Sequence, residues 1–514
     1  MFEEGLAHHQ VGRLGEAERV YRKILELDPR HGDSLHLLGM VAMQTGYNDA
    51  AAELICKAIG WNGANPAYHT NLGNVLQRQS RFEEAVGCYD RAIDLQPESV
   101  AAYSNRGVAL QFLGRLEEAG ASLERALELR PESAEAHANL GSLRLKQGRP
   151  AEAETCERRA LAIQPEYAEA WSNLGTVLDV LGRAKEALAA FERAVELKPG
   201  FAVACLGRAM QGMLMGNFAA ALPEYEQRLD LGERRKFSQP QWRGEPLRGA
   251  RILLHAEQGL GDTIQFLRYL PMVQAAGGEV VLEVQPQLCR LAKALPGGLA
   301  VTPAGGALPA YEWHCPLMSL PLAFGTTLQS IPGQVPYLFV PEEAKNKTAG
   351  FPGVASLLQI GLVWAGSPTH LKDRFRSIPL TLLKPLLELR GAHFYSLQLG
   401  AEVAELASAG MDIVDLSSKI ADMADTAALI DRLDLVIAAD TSVAHLAGAL
   451  GKVVWVMLPF APDWRWLLDR EDSPWYPTMR LFRQPALGDW DSVVDMVWDA
   501  LAKEIAIQAI CSQL

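Results

Sequence analysis

The chain has 514 residues, of which 49% are apolar and 21% charged, and its formal charge is −13. This length is enough for two or three cores, and the apolar fraction excludes a disordered or collagen-like chain. The acidic balance argues against nucleic acid as the main partner, because binding phosphate backbones needs a basic face.

Cysteine spacing and hydropathy indicate the cellular compartment in which the protein is expected. The seven cysteines include no CxxC pair, which offers neither a zinc framework nor a disulfide one. No uninterrupted apolar run reaches the length of a membrane span, and residues 1–10 are acidic where a signal peptide is basic. We therefore expect a cytoplasmic protein of several domains with no transmembrane segment.

The first half of the chain repeats with a period of 34 residues, which four sets of residues keep in phase. The prolines are Pro29, Pro97, Pro131, Pro165 and Pro199; the first glycines are Gly5, Gly39, Gly73, Gly107, Gly141 and Gly175; the second glycines are Gly12, Gly46, Gly114, Gly148, Gly182 and Gly216; and the alanines are Ala17, Ala51, Ala85, Ala119, Ala153, Ala187 and Ala221.

This pattern resembles the tetratricopeptide repeat, which implies an α-solenoid of helix pairs. The first glycine lets the partner helix approach closely, the second ends the first helix in a left-handed turn, and the proline ends the unit. About seven units are expected. The seventh is degenerate at Gly207 and Ala209, and we interpret it as the capping repeat that joins the next domain.

Asparagine recurs at the same period in the first helices, although it is a mediocre residue inside a helix. One interpretation is a ladder of amides that binds an extended peptide on the concave face, as a similar ladder does in O-linked N-acetylglucosamine transferases. The other is that each amide satisfies a turn within its own repeat. The asparagines are Asn71, Asn105, Asn139 and Asn173, and the aromatic residues near them, interpreted as packing residues, are Tyr68, Tyr103, His137 and Trp171.

The period disappears near residue 235, and short apolar runs then alternate with helical stretches, as in parallel α/β structure. We predict repeats at 1–235 followed by two Rossmann-like halves, at 236–345 and 346–514. A ligand is expected at the carboxyl ends of the strands. The predicted strands are 252–255, 280–284, 360–364, 393–397, 435–438 and 453–457, and a helix is predicted over 263–273.

The first half carries a glycine turn followed by an acid. Gly259, Gly261 and Asp262 stand between a predicted strand and a predicted helix, where backbone N–H groups face the cleft. A dinucleotide site is disfavoured, because Ile264 replaces the third glycine of the fingerprint and Asp262 would repel a pyrophosphate. The carboxylate suits a general base or an orienter of an acceptor hydroxyl.

The second half carries a helix N-terminus directly after strand 435–438. The hydroxyl groups of Thr441 and Ser442 suit a diphosphate cradle, and His445 is placed to donate to a phosphate oxygen. The alternative for His445 is a buried histidine satisfied within the fold. We interpret Asp440 as the cap of this helix.

Three further features have alternative interpretations. Arg376, with Arg374, suits a leaving diphosphate or is a solvated loop charge. The tryptophans at 464, 466 and 475 either stack a nucleobase or sugar or hold the two halves together. The DxD at 489–491 precedes the last helix and is interpreted as a cap, so no metal is predicted.

Residues 250–500 resemble a GT-B glycosyltransferase of family 9, the group of ADP-heptose lipopolysaccharide heptosyltransferases. The motifs that carry the resemblance are LGD at 260–262, RSIP at 376–379 and DTSVAHLAGALG at 440–451. The resemblance implies that Asp262 is the base, that Arg376 holds donor phosphate, and that Thr441 and His445 cradle the diphosphate. Arg376 stands where lysine is usual. The other residues expected at the donor site are Gly261, Asp440 and Ser442.

Together these features predict an inverting, metal-independent glycosyltransferase that needs no cofactor. It would move a sugar from a nucleotide-diphosphate donor, bound by the half at 346–514, to a protein or peptide acceptor presented by the repeats. This layout is similar to that of O-linked N-acetylglucosamine transferases. Two alternatives stay open: an enzyme of lipopolysaccharide or polysaccharide synthesis, and a non-catalytic scaffold with a decayed transferase domain.

Overall fold

The computed structural model describes residues 1–231, 235–348, 350–354, 357–368 and 372–511. The chain divides into two compact units, of which the first contains Met1–Val177 and Arg193–Pro199 and the second contains Leu178–Glu192 and Gly200–Leu514. The second unit therefore includes part of the sixth repeat and the helix pair of the seventh, together with the α/β region. Of the polar stretch at the predicted boundary near 235, residues 232–234 lie outside the described residues.

The repeat region consists of helix pairs whose bounds follow the 34-residue period. In the first six pairs the second helix ends two residues before the proline position, because proline does not continue a helix. Four of the first helices begin at an N-cap residue whose side chain accepts a hydrogen bond from a backbone N–H of the helix. These N-cap residues are His31, Asn65, Ser99 and Ser133. The helices are α1 (Phe2–Gln10), α2 (Leu14–Leu27), α3 (Gly32–Gln44), α4 (Asn48–Trp61), α5 (Pro66–Arg78), α6 (Phe82–Leu95), α7 (Val100–Phe112), α8 (Leu116–Leu129), α9 (Ala134–Lys146), α10 (Pro150–Ile163), α11 (Ala168–Val180), α12 (Ala184–Leu197), α13 (Ala202–Leu214) and α14 (Phe218–Tyr225).

Two sets of glycines explain this packing. The glycines between paired helices have φ angles from 69° to 88°, a left-handed conformation that suits glycine, so the predicted left-handed turn is confirmed. Inside the first helices, a Cβ on Gly39 would lie 2.7 Å from Ile55, and one on Gly107 would lie 2.6 Å from Leu123. The small residue therefore permits the close contact between paired helices.

A four-stranded parallel sheet opens the α/β region. Its order is β3-β2-β1-β4, with Ile252 of the central strand opposite Val280 on one side and Trp313 on the other. The predicted helix over 263–273 is wrong in its bounds, because a 3-10 turn at Leu267–Tyr269 divides it. The elements are β1 (Arg251–His255), α15 (Leu260–Phe266), α16 (Leu270–Ala275), β2 (Glu279–Val284), α17 (Cys289–Lys293), β3 (Ala300–Pro303), β4 (Trp313–Pro316), α18 (Leu320–Ala323) and α19 (Glu342–Lys347).

A six-stranded parallel sheet follows, in the order β10-β9-β8-β5-β6-β7. Counted from its first strand, this order is 3-2-1-4-5-6, which is that of dinucleotide-binding folds. The order reverses between β5 and β8, so a crevice opens at their carboxyl ends. The elements are β5 (Leu358–Val363), α20 (Asp373–Arg376), α21 (Lys384–Leu387), β6 (Ala392–Ser396), α22 (Ala404–Ala409), β7 (Val414–Asp415), α23 (Met423–Asp431), β8 (Leu435–Ala439), α24 (Ser442–Ala449), β9 (Val453–Leu458), β10 (Met479–Arg483) and α25 (Trp490–Cys511).

The six predicted strands are confirmed, since each overlaps an observed one, whereas β3, β4, β7 and β10 were not predicted. In the part of the chain that the structure describes, no helix has the length and apolar character needed to cross a bilayer.

Tryptophans connect the parts of the second compact unit. Trp464 and Trp475 are buried, at 3% and 0% exposure, and both contact Phe218 of α14 with ring centroids 5.9 and 6.1 Å apart. Trp475 also contacts Phe266 of α15 at 6.0 Å. Because Trp466 is buried as well, the structure favours the interpretation that these side chains hold the fold together over stacking on a ligand.

Ser80 occupies the left-handed position that glycine holds between the helices of other repeats, with φ 60°. A left-handed conformation costs a residue with a Cβ about 1 kcal/mol. S80G should therefore raise the free energy of unfolding by about that amount, as measured by urea denaturation. The matched change Gly114→Ser should lower it similarly, and equal stability of S80G and the wild type would contradict this explanation.

A carboxyl group makes one of the contacts between paired helices. The side chain at this position is apolar or aromatic in other repeats, as with Tyr21 and Ile55, but it is Glu157 in the fifth. Glu157 is fully buried against Gly141, and neither of its oxygens has a hydrogen-bond partner among the described residues. Burial raises the pKa of Glu157 to about 9, and the nearby Asn173 amide offsets only part of this rise.

The titration of Glu157 should make the chain less stable as the pH rises. The folded chain keeps this proton up to pH about 9, whereas the unfolded chain loses it near pH 4.5, so its stabilising contribution is lost between these values. E157Q should remove this dependence and gain stability relative to the wild type between about pH 5 and 8. Urea denaturation at about pH 5 and about pH 8 measures the effect. The exposed Glu166→Gln is the control. A pH dependence identical in E157Q and the wild type would refute it.

Candidate functional site

A cavity of about 430 Å³ lies at the carboxyl edge of the six-stranded sheet. Its walls come from segments that follow β5, β8, β9 and β10 and from the last two repeats, all within the second compact unit. Because β5 and β8 flank the point where the strand order reverses, this is the position at which such sheets bind ligands. The described residues that line it are Val180, Met210, Lys372, Phe375, Arg376, Asp440, Pro459, Ala461, Asp463 and Leu487.

Two cations of the cavity come from one short segment after β5. Arg376 donates through Nε to Asp373 Oδ1 at 3.2 Å, and Lys372 donates through Nζ to Asp179 Oδ2 at 2.5 Å. A Cβ on Gly366 would lie 2.5 Å from Nη2 of Arg376, so this glycine leaves room for the guanidinium beside the strand end. The structure thus brings Arg376 into the cavity and adds Lys372.

Two carboxyl groups also line the cavity. Burial and the neighbouring Asp463 raise the pKa of Asp440, an effect that Arg376 partly opposes. Burial acts to raise the pKa of Asp463 too, but the charge of Arg465 and the hydrogen bonds it donates outweigh burial and lower it. Asp463 is therefore an ionised acceptor, whereas Asp440 keeps a proton more readily and suits donation to a ligand.

The N-terminus of α24 lies directly after Asp440. Thr441 is the N-cap residue, and its buried hydroxyl has no hydrogen-bond partner among the described residues. The interpretation of Asp440 as the cap is wrong, because the backbone is still extended at Thr441, which is itself the N-cap residue. Ser442 is half-buried, and neither hydroxyl residue is among those that line the cavity.

His445 is buried one turn further along α24. Its Nδ1 lies 3.0 Å from the Tyr476 hydroxyl, and its ring stacks on Trp466 with centroids 5.3 Å apart. Burial and the neighbouring Arg465 lower the pKa of His445 to about 3, so the ring is neutral at physiological pH. A Cβ on Gly261 would lie 3.0 Å from this ring. These contacts favour the alternative of a histidine satisfied within the fold, and they place Gly261 where α15 meets α24.

Asp262 lies in the first turn of α15, and both of its oxygens accept hydrogen bonds. Oδ2 accepts from the Gly259 N–H at 2.9 Å, and Oδ1 accepts from Nη2 of Arg465 at 2.5 Å. The same guanidinium donates to Asp463 Oδ1 at 2.8 Å and to Gln265 Oε1 at 2.5 Å. Arg465 therefore connects the predicted base to the wall of the cavity.

The predicted asparagine ladder includes two amides that bond between neighbouring repeats. The Asn71 amide nitrogen lies 2.8 Å from Nε2 of His36, and Asn105 donates to Asn74 Oδ1 at 2.8 Å. These bonds differ from the alternative in which each amide satisfies a turn of its own repeat. Peptide binding by the ladder stays a prediction.

The first compact unit has a separate surface cavity of about 620 Å³. Of the ladder, Asn105 lines it, beside the rings of Phe82 and Phe112, which stack at 4.5 Å. Asn139 and Asn173 are half-buried and are not among its lining residues.

Three of the aromatic residues near the ladder make contacts within or between the repeats. Tyr68 donates to Asp33 Oδ1 at 2.5 Å, and Trp171 donates to the Pro165 carbonyl at 2.9 Å. Nε2 of His137 lies 3.0 Å from the Pro131 carbonyl. These contacts support their interpretation as packing residues.

Among the described residues, no three His, Cys, Asp or Glu side chains are arranged to hold a metal ion. Asp489 of the DxD accepts from the Ser492 N–H at 3.1 Å and from the Ser492 hydroxyl at 2.7 Å. Its interpretation as the cap of α25 is confirmed.

Four charged residues of the site were missed in the sequence: Asp179, Lys372, Asp463 and Arg465. The sequence does contain a signal for Asp179, because the equivalent position of the other repeats holds an uncharged residue. Arg465 stands between two tryptophans, and nothing local to it indicates its pairing with the distant Asp262. Arg374 is exposed and does not line the cavity. The uncharged residues equivalent to Asp179 are Met43, Gln77, Gln111, Leu145 and Met213.

Comparison with protein families identifies the repeats. Models of the tetratricopeptide repeat match residues 2–67, 72–139 and 139–200. The chain therefore carries tetratricopeptide repeats through about its first 200 residues, as predicted.

Curated relatives match part of the chain. Protein FlbA of Caulobacter vibrioides is 29% identical over 327 residues, which cover 57% of this chain and 54% of that protein. Tetratricopeptide repeat protein 7A of Homo sapiens is 31% identical over 88 residues, which cover 17% of this chain and 10% of that protein. The chain thus spans about half of the length of FlbA and a tenth of the human protein.

Two solved structures are similar to part of this chain. A tetratricopeptide repeat protein from Parabacteroides merdae has a TM-score of 0.40 and 17% identity, over 46% of this chain and 93% of that one. MamA has a TM-score of 0.29 and 24% identity, over 32% of this chain and 96% of that one.

Proposed function

We propose that this chain is a glycosyltransferase of the GT-B type that takes a sugar from a nucleotide-diphosphate donor. The observation that carries the proposal is a charged cavity at the strand-order reversal of a 3-2-1-4-5-6 sheet, where such sheets bind nucleotides. Arg376, which the family resemblance assigns to donor phosphate, lines this cavity. The four-stranded sheet would be the other Rossmann-like half.

The chemistry of the cavity suits the parts of such a donor. Arg376 and Lys372, which line the cavity, supply positive charge for the diphosphate. The N-terminus of α24 follows the lining residue Asp440 in the chain and would favour the same negative charge. Asp440 and Asp463 suit hydroxyl groups of the sugar or ribose. The apolar remainder of the lining suits the faces of a nucleobase.

In the proposed reaction Asp262 accepts the proton of an acceptor hydroxyl. The acceptor oxygen forms a bond to the anomeric carbon as the bond from that carbon to the diphosphate oxygen breaks, which inverts the configuration. The nucleoside diphosphate leaves with the bonding electrons, and Arg376 and Lys372 stabilise its charge, a task that a divalent ion performs in other enzymes.

The repeats would present the acceptor. Tetratricopeptide repeats are a surface for proteins and peptides, and the amide-lined cavity beside Asn105 is a place for an extended chain. A protein or peptide acceptor is therefore proposed. The alternative is an enzyme of lipopolysaccharide or polysaccharide synthesis whose repeats dock a partner complex. Mass spectrometry of the product distinguishes a protein acceptor from a glycan acceptor.

A second candidate is a nucleotide-binding scaffold without catalysis. It is favoured by the state of Asp262, whose two oxygens already accept from Gly259 and Arg465. It is also favoured by His445, which is buried and held neutral rather than presented to a ligand. A base must release one of these hydrogen bonds or share an oxygen with the acceptor.

Calorimetry with ADP, UDP, GDP and CDP tests the donor site. We expect at least one to bind, and Arg376→Ala to weaken its binding about tenfold, which is about 1.4 kcal/mol. The loss follows from removing a charge that faces the diphosphate. Arg374→Ala, in the same segment but outside the cavity, is the matched control and should bind as the wild type does. The absence of binding by all four nucleotides would reject the proposed site.

The role of Asp262 is tested by separating binding from turnover. D262N should bind the nucleoside diphosphate as the wild type does, yet transfer from the nucleotide sugar should fall by a factor of 100 or more, on the order expected for a general base. Mass spectrometry of co-expressed proteins and glycans detects the product and identifies the acceptor class. Undiminished transfer by D262N would exclude this role, and binding without transfer in the wild type would support the scaffold.

A further inference from the structure

We propose that Asp179 of the sixth repeat is a positioning residue for the ligand cavity, and that the last two repeats form part of the ligand site. Asp179 would hold the cationic segment, residues 372–376, at the edge of the cavity. The inference rests on the proposed function, because it takes a nucleoside diphosphate as the ligand.

Asp179 contacts two other residues of the second compact unit, to which it belongs itself. Its Oδ2 accepts from Nζ of Lys372 at 2.5 Å, and its Oδ1 accepts from Nε2 of Gln211 at 2.8 Å. Asp179 is on α11 and Gln211 is on α13, so one carboxylate links two successive repeats to a loop that lies 193 residues further along the chain.

The arrangement presents the cation, and not its partner, to a ligand. Lys372 lines the cavity, whereas Asp179 is not among its lining residues and is almost fully buried. Burial opposes the charge of Lys372, but the Asp179 carboxylate raises its pKa, so the ammonium group stays charged. An anionic ligand in the cavity would therefore contact the ammonium group of Lys372 and not the Asp179 carboxylate that pairs with it.

Apolar contacts from the same repeats complete this wall. Val180 and Met210, which adjoin the two polar residues of the link, both line the cavity. Gly182 lies close to Phe460, since a Cβ on this glycine would be 2.5 Å from that ring. Phe460 stands between two lining residues of the loop after β9. The repeats thus contribute both charge and shape to the cavity.

This arrangement links ligand binding to the packing of the last repeats. A nucleoside diphosphate in this cavity would contact Val180 and Met210, so its binding stabilises the positions of these residues. By reciprocity, a partner that displaces them would change the affinity for the nucleotide by the same factor as the nucleotide changes the affinity for that partner.

The test compares a charged and an uncharged ligand. D179N keeps the shape of the side chain but removes the charge that holds Lys372. It should weaken the nucleoside diphosphate that binds the wild type about tenfold in calorimetry, and leave the affinity for the corresponding uncharged nucleoside, measured by competition, unchanged. Asp90→Asn removes another ion pair of the repeats, with Arg106, and as the matched control should leave both affinities unchanged.

A second variant keeps the test independent of folding. Lys372→Gln should cause the same loss, and the double variant with D179N should lose no more than either single one, because both act through one pair. Additive losses, wild-type affinity of D179N, or an equal loss for nucleoside and diphosphate would overturn the role of Asp179 and leave the proposed function standing. A wild type that binds no nucleoside diphosphate would overturn both.

Discussion

The buried guanidinium of Arg465 connects the parts of the candidate site. It is 7% exposed and donates to Asp262 and Gln265 on α15 and to Asp463 in the loop after β9. A buried arginine is tolerated when its charge is paired, and removal of one partner of such a pair costs about 3–5 kcal/mol. One side chain therefore holds the proposed base at a defined place relative to the cavity wall.

Aromatic and apolar side chains pack closely around this guanidinium. Gly261 allows α15 to approach the His445 ring, which stacks on Trp466. On the repeat side, Phe218 packs on Trp464. The last repeats share one apolar core with both sheets, so the end of the repeat period is not the end of a structural unit. In such surroundings charges interact strongly, and each must have a partner.

The sequence predicted those features that depend on neighbours along the chain. The six predicted strands were found because they are apolar runs and mostly buried, whereas β7 has two residues, β3 is largely exposed and the apolar run of β10 is interrupted by Arg480. The rule that favours aspartate at an N-cap misled at Asp440, because the backbone stays extended through Thr441 and the helix begins one residue later. Arg376 was found through its motif, whereas Lys372, four residues before it, matched none.

By itself the sequence determined the 34-residue period, the left-handed glycine turns, the main strands and the residues with chemistry to offer, because these depend on local conformation and spacing. Only the tertiary structure decided which charges meet. Asp262 pairs with Arg465 across 203 residues, and Asp179 pairs with Lys372 across 193. No local preference selects such partners. They are determined by the packing of helices and sheets, which brings buried charges that are distant in the sequence next to opposite ones.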